Sequence, residues 1–238
     1  MSEIGERLLL VQNGVNAALE KAHREAGLVK LVVVTKGQPA EKMQALIDAG
    51  GRYLGENYPE ETAEKIAELK NIEQVEWHMI GHIQSRKIKF LTKYFNFIES
   101  VESLETAQKL DARFLEAGRK IQIMLEVNVS GEVSKQGFAL AEKENWGAFI
   151  EDVNRIDRLA SLELVGLMTM PPLGEHAESS RIYFKRLREL LAYVNEHKIG
   201  VKMTELSMGT SFDYSVAVEE GATIVRVGEA IMGARIYA

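Results

Sequence analysis

Apolar residues in the first two dozen positions recur at Ile4, Leu8, Val11, Val15, Leu19 and Ala22. Spacings of three and four place them on one stripe of a helix over residues 3–26, with Gly27 as a natural stop. Beyond Gly27 the pattern changes. Short apolar or β-branched runs occur at 31–35, 52–55, 75–80, 95–101, 121–128, 162–170, 204–207 and 223–227. Segments of helical periodicity separate them. In 103–117 Ser103 caps, Leu104, Ala107, Leu110 and Phe114 form a face, and Gly118 ends the helix; in 179–197 Phe184, Leu187, Leu191 and Val194 share one side. The runs IQIMLEV and LVGLM are continuously apolar, as strands covered on both faces are. One leading helix and eight strand–helix pairs predict an α/β fold, a single (β/α)8 TIM barrel with an extra N-terminal helix, spanning 1–238 as one domain. The alternative is an open doubly wound sheet. It normally has fewer strands and a glycine-rich loop after the first, which LVVVTKG (31–37) lacks.

Composition narrows the function classes. The chain has 238 residues, 46% hydrophobic and 27% charged, with a net charge of -6 and no clustered Lys/Arg block, which argues against a nucleic-acid surface. Absence of cysteine excludes disulfides, thiolate nucleophiles and Cys-ligated zinc. His23, His78, His82, His176 and His197 lack metal-ligand spacing, so no metal is expected. There is no apolar run long enough for a membrane span and no signal-peptide pattern, so a cytoplasmic soluble protein is expected.

In a barrel, chemistry collects where strands end and βα loops begin. Those ends carry Thr35-Lys36-Gly37, Glu56-Asn57-Tyr58, Gly81-His82-Ile83-Gln84, Glu99-Ser100, Glu126-Val127-Asn128, Met168-Thr169-Met170, Ser207-Met208-Gly209-Thr210-Ser211 and Arg226-Val227-Gly228. Loops after strands seven and eight are favoured phosphate sites on this fold, and SMGTS and VGEAIMG supply glycine and hydroxyls there. The same glycines also suit plain tight turns. Lys36 reads two ways as well: a solvated strand-end lysine, or an amine aimed into the mouth, where desolvation and Arg226 on the neighbouring strand would activate it toward an aldehyde. A lysine and a phosphate site in one mouth point to an aldehyde-bearing phosphate such as pyridoxal phosphate. Glu56 and Glu126 both stand at strand ends, but strand alternation can point them apart. His82 is by itself an ordinary loop histidine, and Met168 and Met170 are core candidates, Met168 also a lid against a flat ring.

With these residues in place, the sequence resembles the pyridoxal phosphate homeostasis protein family, single-barrel relatives of the alanine racemase N-terminal domain. The motifs are VVVTK (32–36), AGGRYLGENY (49–58), EWHMIGHIQSRK (76–87), EVNVSGEVSKQGF (126–138), GLMTM (166–170) and LSMGTSFDYSVAVEEGATIVRVGEAIMGAR (206–235). The resemblance implies that Lys36 holds the cofactor as a Schiff base. It places Asn57, His82 and Met168 about the ring, and Ser207, Gly209, Ser211, Gly228 and Glu229 about the phosphate. Arg226 would face the pyridine nitrogen, and as a permanent donor it favours an unprotonated ring, a poor electron sink. Thr210, Arg86 and Glu229 depart from the family pattern; a carboxylate beside a phosphate is repulsive, so Glu229 would contribute only its backbone.

The implied role is a non-catalytic, monomeric carrier that buffers the cofactor or delivers it to dependent apo-enzymes and so affects amino-acid and keto-acid balance. An amino-acid racemase is the alternative. It needs a second base, which relatives draw from a C-terminal domain or a partner subunit; the sequence ends ten residues past Gly228, with Tyr58 the only substitute in view. A cofactor-free aldolase would need acid–base partners around Lys36 in place of phosphate-friendly loops.

Overall fold

The computed structural model describes residues 2–234. Its helices are α1 (Glu3–Lys21), α2 (Ala40–Asp48), α3 (Pro59–Ile66), α4 (Ile88–Tyr94), α5 (Leu104–Glu116), α6 (Trp146–Ile156), α7 (Arg181–His197), α8 (Tyr214–Glu219) and α9 (Glu229–Met232). The strands are β1 (Lys30–Val34), β2 (Tyr53–Glu56), β3 (Glu76–Met79), β4 (Phe97–Val101), β5 (Ile121–Asn128), β6 (Phe138–Ala139), β7 (Leu162–Met168), β8 (Glu205–Ser207) and β9 (Ile224–Val227). All pairings are parallel. β1 bonds to both β2 and β9, and β4 to β5, so β1-β2-β3-β4-β5-β7-β8-β9 closes on itself as an eight-stranded barrel ringed by helices.

Each expected strand forms within a residue or two of its run, and a helix follows each. Two features differ from the expectation. The leading helix ends at Lys21, not near 26, because Ala22 caps it and His23 turns left-handed at φ 53°. β6, missed in the sequence, is a two-residue strand beside the top of β5, at Val127 and Asn128. α1 starts on Ser2, whose side chain accepts the Gly5 N–H, and packs its Ile4, Leu8, Val11, Val15 and Leu19 stripe onto the barrel's outer layer. Among the described residues no helix is long and apolar enough to cross a membrane.

Two apolar layers result. The larger fills the space between strands and helices. The smaller plugs the barrel interior with Val32, Phe97, Met124, Met168 and Ile224, with Tyr53 and Val165 packed against it. Strand alternation then decides which residues reach the mouth: with Val32 inward, Val33 and Thr35 face the helices, and Val34 and Lys36 return to the inner side. The inward residues of the other strands above the plug carry the chemistry.

Candidate functional site

A cavity of about 360 Å³ opens at the C-terminal rim between β1 and β9, lined by Val34, Lys36, Gln38, Gly228, Glu229, Gly233 and Ala234. It has the size of a small-ligand site. Lys36 is half-buried there. The loop that carries it is tied down twice. Thr35 donates from Oγ1 to Glu56 Oε1 at 2.8 Å, and buried Gln38 donates from Nε2 to the carbonyl of Gly233 at 3.3 Å, with Lys42 reaching the Met232 carbonyl at 3.2 Å. These ties bring the segment after α9 over the lysine loop.

The loops after β8 and β9 meet at the same rim. The backbone N–H groups of Gly228 and Ala230 converge on Ser211 Oγ, at 3.2 and 3.4 Å. The Ser211 hydrogen is not spent on any described residue, so the hydroxyl, held in place by the two N–H groups, is the donor at this point of the rim. Gly228 lies tight on β1, since a Cβ there would stand 3.2 Å from Val34 Cβ. Glu229 is exposed, its carboxylate in solvent. Thr210 donates both N–H (2.7 Å) and Oγ1 (3.0 Å) to Asp213, so the residue that departs from the family pattern fixes the turn. Gly209, expected near a phosphate, is buried at φ 94° against α8; a Cβ would meet Ala217 Cβ at 2.5 Å. Its carbonyl accepts the Arg226 N–H at 2.9 Å.

Deeper in the mouth lies a buried polar network. Arg226 crosses the barrel from β9 toward β4 on the opposite wall. Its Nη1 donates to Ser207 Oγ, its Nη2 to the Thr169 carbonyl at 2.9 Å, and Glu99 Oε2 stands 3.7 Å from Nη1. Ser207 donates its hydrogen to Glu99. Glu99 in turn accepts from His78 Nδ1 at 2.6 Å, and His78 Nε2 meets Glu76 Oε1 at 3.0 Å. Both ring nitrogens face carboxylates, so both must donate, which makes His78 an imidazolium. Burial opposes that charge, but the bonds to Glu76 and Glu99 outweigh it and raise the His78 pKa. Burial likewise pushes Glu99 up, yet His78 and Arg226 together hold it below the ordinary carboxylate range. His78 also stacks on Phe97 at 4.8 Å.

The remaining sequence candidates scatter around this core. Met168 belongs to the apolar plug beneath Arg226, fully buried rather than lying over an open cavity as a lid. Asn57 abuts the Gly81 turn so closely that a Cβ on Gly81 would fall 2.7 Å from Asn57 Cα, and its Oδ1 is buried without a hydrogen-bond partner. His82 is half-exposed on the rim, 3.4 Å from Glu102. The two strand-end glutamates do point apart. Glu126 is half-buried, its pKa raised by burial against the pull of Arg226. Glu56 is wholly buried behind the wall, where burial raises it against Lys65, 3.9 Å away. Arg86 is exposed, and Arg235 lies outside the described residues.

Sequence reasoning missed Gln38, His78 and the partners of Glu99. The spacing of His78 excludes it as a metal ligand and says nothing more; the signal available in the sequence is its shared strand face with Glu76, two residues away. A larger cavity, about 790 Å³, lies at the opposite end of the barrel around Lys30, Gln122, Glu163 and Glu205. That is the face where this fold places stability rather than chemistry.

Residues 15–236 match the alanine racemase N-terminal domain family. The pyridoxal phosphate homeostasis protein of Pseudomonas aeruginosa is 39% identical over 238 residues, covering 100% of this chain and 98% of that protein. The chain belongs to the pyridoxal phosphate homeostasis protein family. Its counterpart in Aquifex aeolicus is 36% identical over 232 residues, 98% of each chain. PipY of Synechococcus elongatus, solved with pyridoxal phosphate bound, superposes with a TM-score of 0.83 at 30% identity, covering 97% of this chain and 100% of PipY. An alanine racemase of Clostridium difficile shares the fold, with a TM-score of 0.69 at 16% identity, and this chain covers 56% of it.

Proposed function

We propose that the protein binds pyridoxal phosphate reversibly through the Lys36 amine and serves as a carrier or buffer of the cofactor for dependent apo-enzymes. One observation carries this reading: Lys36 and the Gly228–Glu229 loop line the same cavity at the C-terminal rim. The residues present fit the group. An orphaned Asn57 Oδ1, the Ser211 hydroxyl and the buried guanidinium of Arg226 are three polar features that a small phosphorylated aromatic aldehyde can use. When bound, pyridoxal phosphate supplies the aldehyde that the lysine amine holds and a ring able to accept electron density.

The chain's own residues do the rest. Thr35 and Gln38 fix the loop that presents Lys36; the Ser211 hydroxyl, oriented by the N–H groups of Gly228 and Ala230, donates to an anion; Arg226 offers a donor that is never a proton source at neutral pH. A donor of that kind withholds the proton that would make the ring a strong electron sink. The network around Arg226 therefore favours holding over turnover, and the relatives' name, homeostasis protein, agrees with it.

Borohydride reduction of the cofactor-loaded protein followed by peptide mapping tests the site. The expected result is a pyridoxyl adduct on Lys36 that Lys36→Ala abolishes, with the yellow colour lost. An adduct elsewhere would refute the assignment, and racemisation of alanine well above that of free cofactor would restore the enzyme reading.

A further inference from the structure

Ser207 stands in SMGTS, the loop expected at the phosphate, yet its surroundings suit another task. It is fully buried. A serine has one hydrogen to donate. Ser207 gives that hydrogen to Glu99 Oε2 and accepts from Arg226 Nη1, so no donor remains for an anionic oxygen. Glu99 adds a negative charge at the place a dianion would have to occupy, held ionised between His78 at 2.6 Å and Arg226 at 3.7 Å. Ser211, four residues on, has the opposite bonding: it accepts from two backbone N–H groups and gives its hydrogen to none of the described residues.

Resting on the reading of Lys36 and Arg226 above, we infer that Ser207, Glu99 and His78 are positioning residues for the Arg226 guanidinium, and so serve the ring end of the cofactor, while Ser211 alone of the two serines serves its phosphate. His78 clamps Glu99 from β3, Glu99 and Ser207 clamp Arg226 from β4 and β8, and the Thr169 carbonyl takes Nη2 at 2.9 Å. With both outer nitrogens engaged in the barrel wall, the guanidinium is fixed in one orientation before any ligand arrives. Pre-fixed donors lower the ordering cost of binding.

The test compares pyridoxal phosphate with pyridoxal, which lacks the phosphate, on the full chain. Dissociation constants come from the absorbance of the bound chromophore, and each variant's ratio of the two constants is read against wild type, which cancels the solution chemistry of each ligand. Ser211→Ala is expected to weaken pyridoxal phosphate about tenfold and leave pyridoxal unchanged. Ser207→Ala is expected to weaken both ligands by the same factor, leaving the ratio as in wild type, and to shift the absorption maximum, which Ser211→Ala does not. Glu99→Gln, the second variant should Ser207→Ala fold poorly, is expected to behave like Ser207→Ala. Loss confined to pyridoxal phosphate in Ser207→Ala or Glu99→Gln would overturn the inference. Failure of wild type to give a reducible adduct on Lys36 would overturn the functional reading and this inference with it, and that outcome is visible before any variant is made.

Discussion

Glu99→Gln isolates the energetics of the buried network, because it keeps the shape of the side chain and removes its charge. Glu99 has no exposed surface, and it is the group that faces both His78 at 2.6 Å and Arg226 at 3.7 Å. Its loss leaves the Arg226 guanidinium bonded to the Ser207 hydroxyl and the Thr169 carbonyl, with Glu126 and Asp213 as more distant counter-charges, and leaves His78 with Glu76 as its remaining carboxylate. Removing one partner of a buried ion pair costs about 3–5 kcal/mol. At about 2–4 °C per kcal/mol for a chain of this size, the melting temperature of the cofactor-free protein should fall by about 6–20 °C. The pH dependence gives a second, signed readout. The folded protein holds the His78 proton above the ordinary value of 6.5, so wild type is most stabilised by it below 6.5 and loses that contribution as pH rises through the raised value. Glu99→Gln should flatten that loss. Urea unfolding of wild type, Glu99→Gln, His78→Gln and the double variant, at pH 6 and pH 9, yields the coupling between the two positions. A coupling within about 0.5 kcal/mol of zero at pH 6, or a melting temperature within about 2 °C of wild type, would refute the picture of a charged clamp.

Other outcomes follow from the same geometry. Gly81→Ala should cost about 1–3 kcal/mol by urea unfolding and weaken cofactor binding, because the added methyl would press on Asn57 Cα. Met168→Ala should destabilise by about 2–5 kcal/mol through a cavity in the barrel plug, and a cost below about 1 kcal/mol would mean that the plug collapses around it. Glu56 is raised by burial above its ordinary 4.5, so wild type should lose stability as pH rises from about 4.5 through the raised value; Glu56→Gln should remove that slope, measured as the urea midpoint at pH 5 and pH 8. Gln38→Ala should loosen the segment after α9, seen as faster hydrogen exchange at Met232–Ala234 without loss of the barrel's protected core.

The barrel was readable from the chain because its determinants are local: each strand is a short apolar run, each helix a 3.6-residue stripe, and alternation between them leaves few topologies. That Ser211, Gly228 and Lys36 come to the rim is legible for a related reason, since each stands within a few residues of a strand end. The network was not. Glu99 and Ser207 lie 108 residues apart and meet only because closure brings opposite walls of the barrel together. Nor could the run SMGTS tell its two serines apart. Alternation puts Ser207 on the inner face of β8, paired with Ile224 and within reach of the Arg226 guanidinium two residues further along β9, whereas Ser211 follows the Gly209 turn and arrives at the rim. His78 and Glu76 shared a face in the sequence, but nothing local showed that Glu99 completes the clamp on the imidazole.

That difference in range bears on function. The residues that would capture an aldehyde and an anion are set by local turns at the rim, where a loop can be exchanged with little effect on the core. The residue that would face the ring is set by a charge network anchored on four strands, β3, β4, β8 and β9, and packed against an apolar plug. A change that protonated the ring would have to replace Arg226 by an acceptor carboxylate, which would remove the cation beside Glu99 and put a second negative charge in the same buried network. Two buried like charges without a shared cation drive one carboxylate neutral. Arg226→Glu should therefore leave one of the carboxylates at positions 226 and 99 protonated and weaken the His78 clamp, so the variant should unfold well before it holds a protonated ring. If Arg226→Glu instead folds with wild-type stability and binds the cofactor with a red-shifted spectrum, the network is not what ties this barrel to holding its ligand.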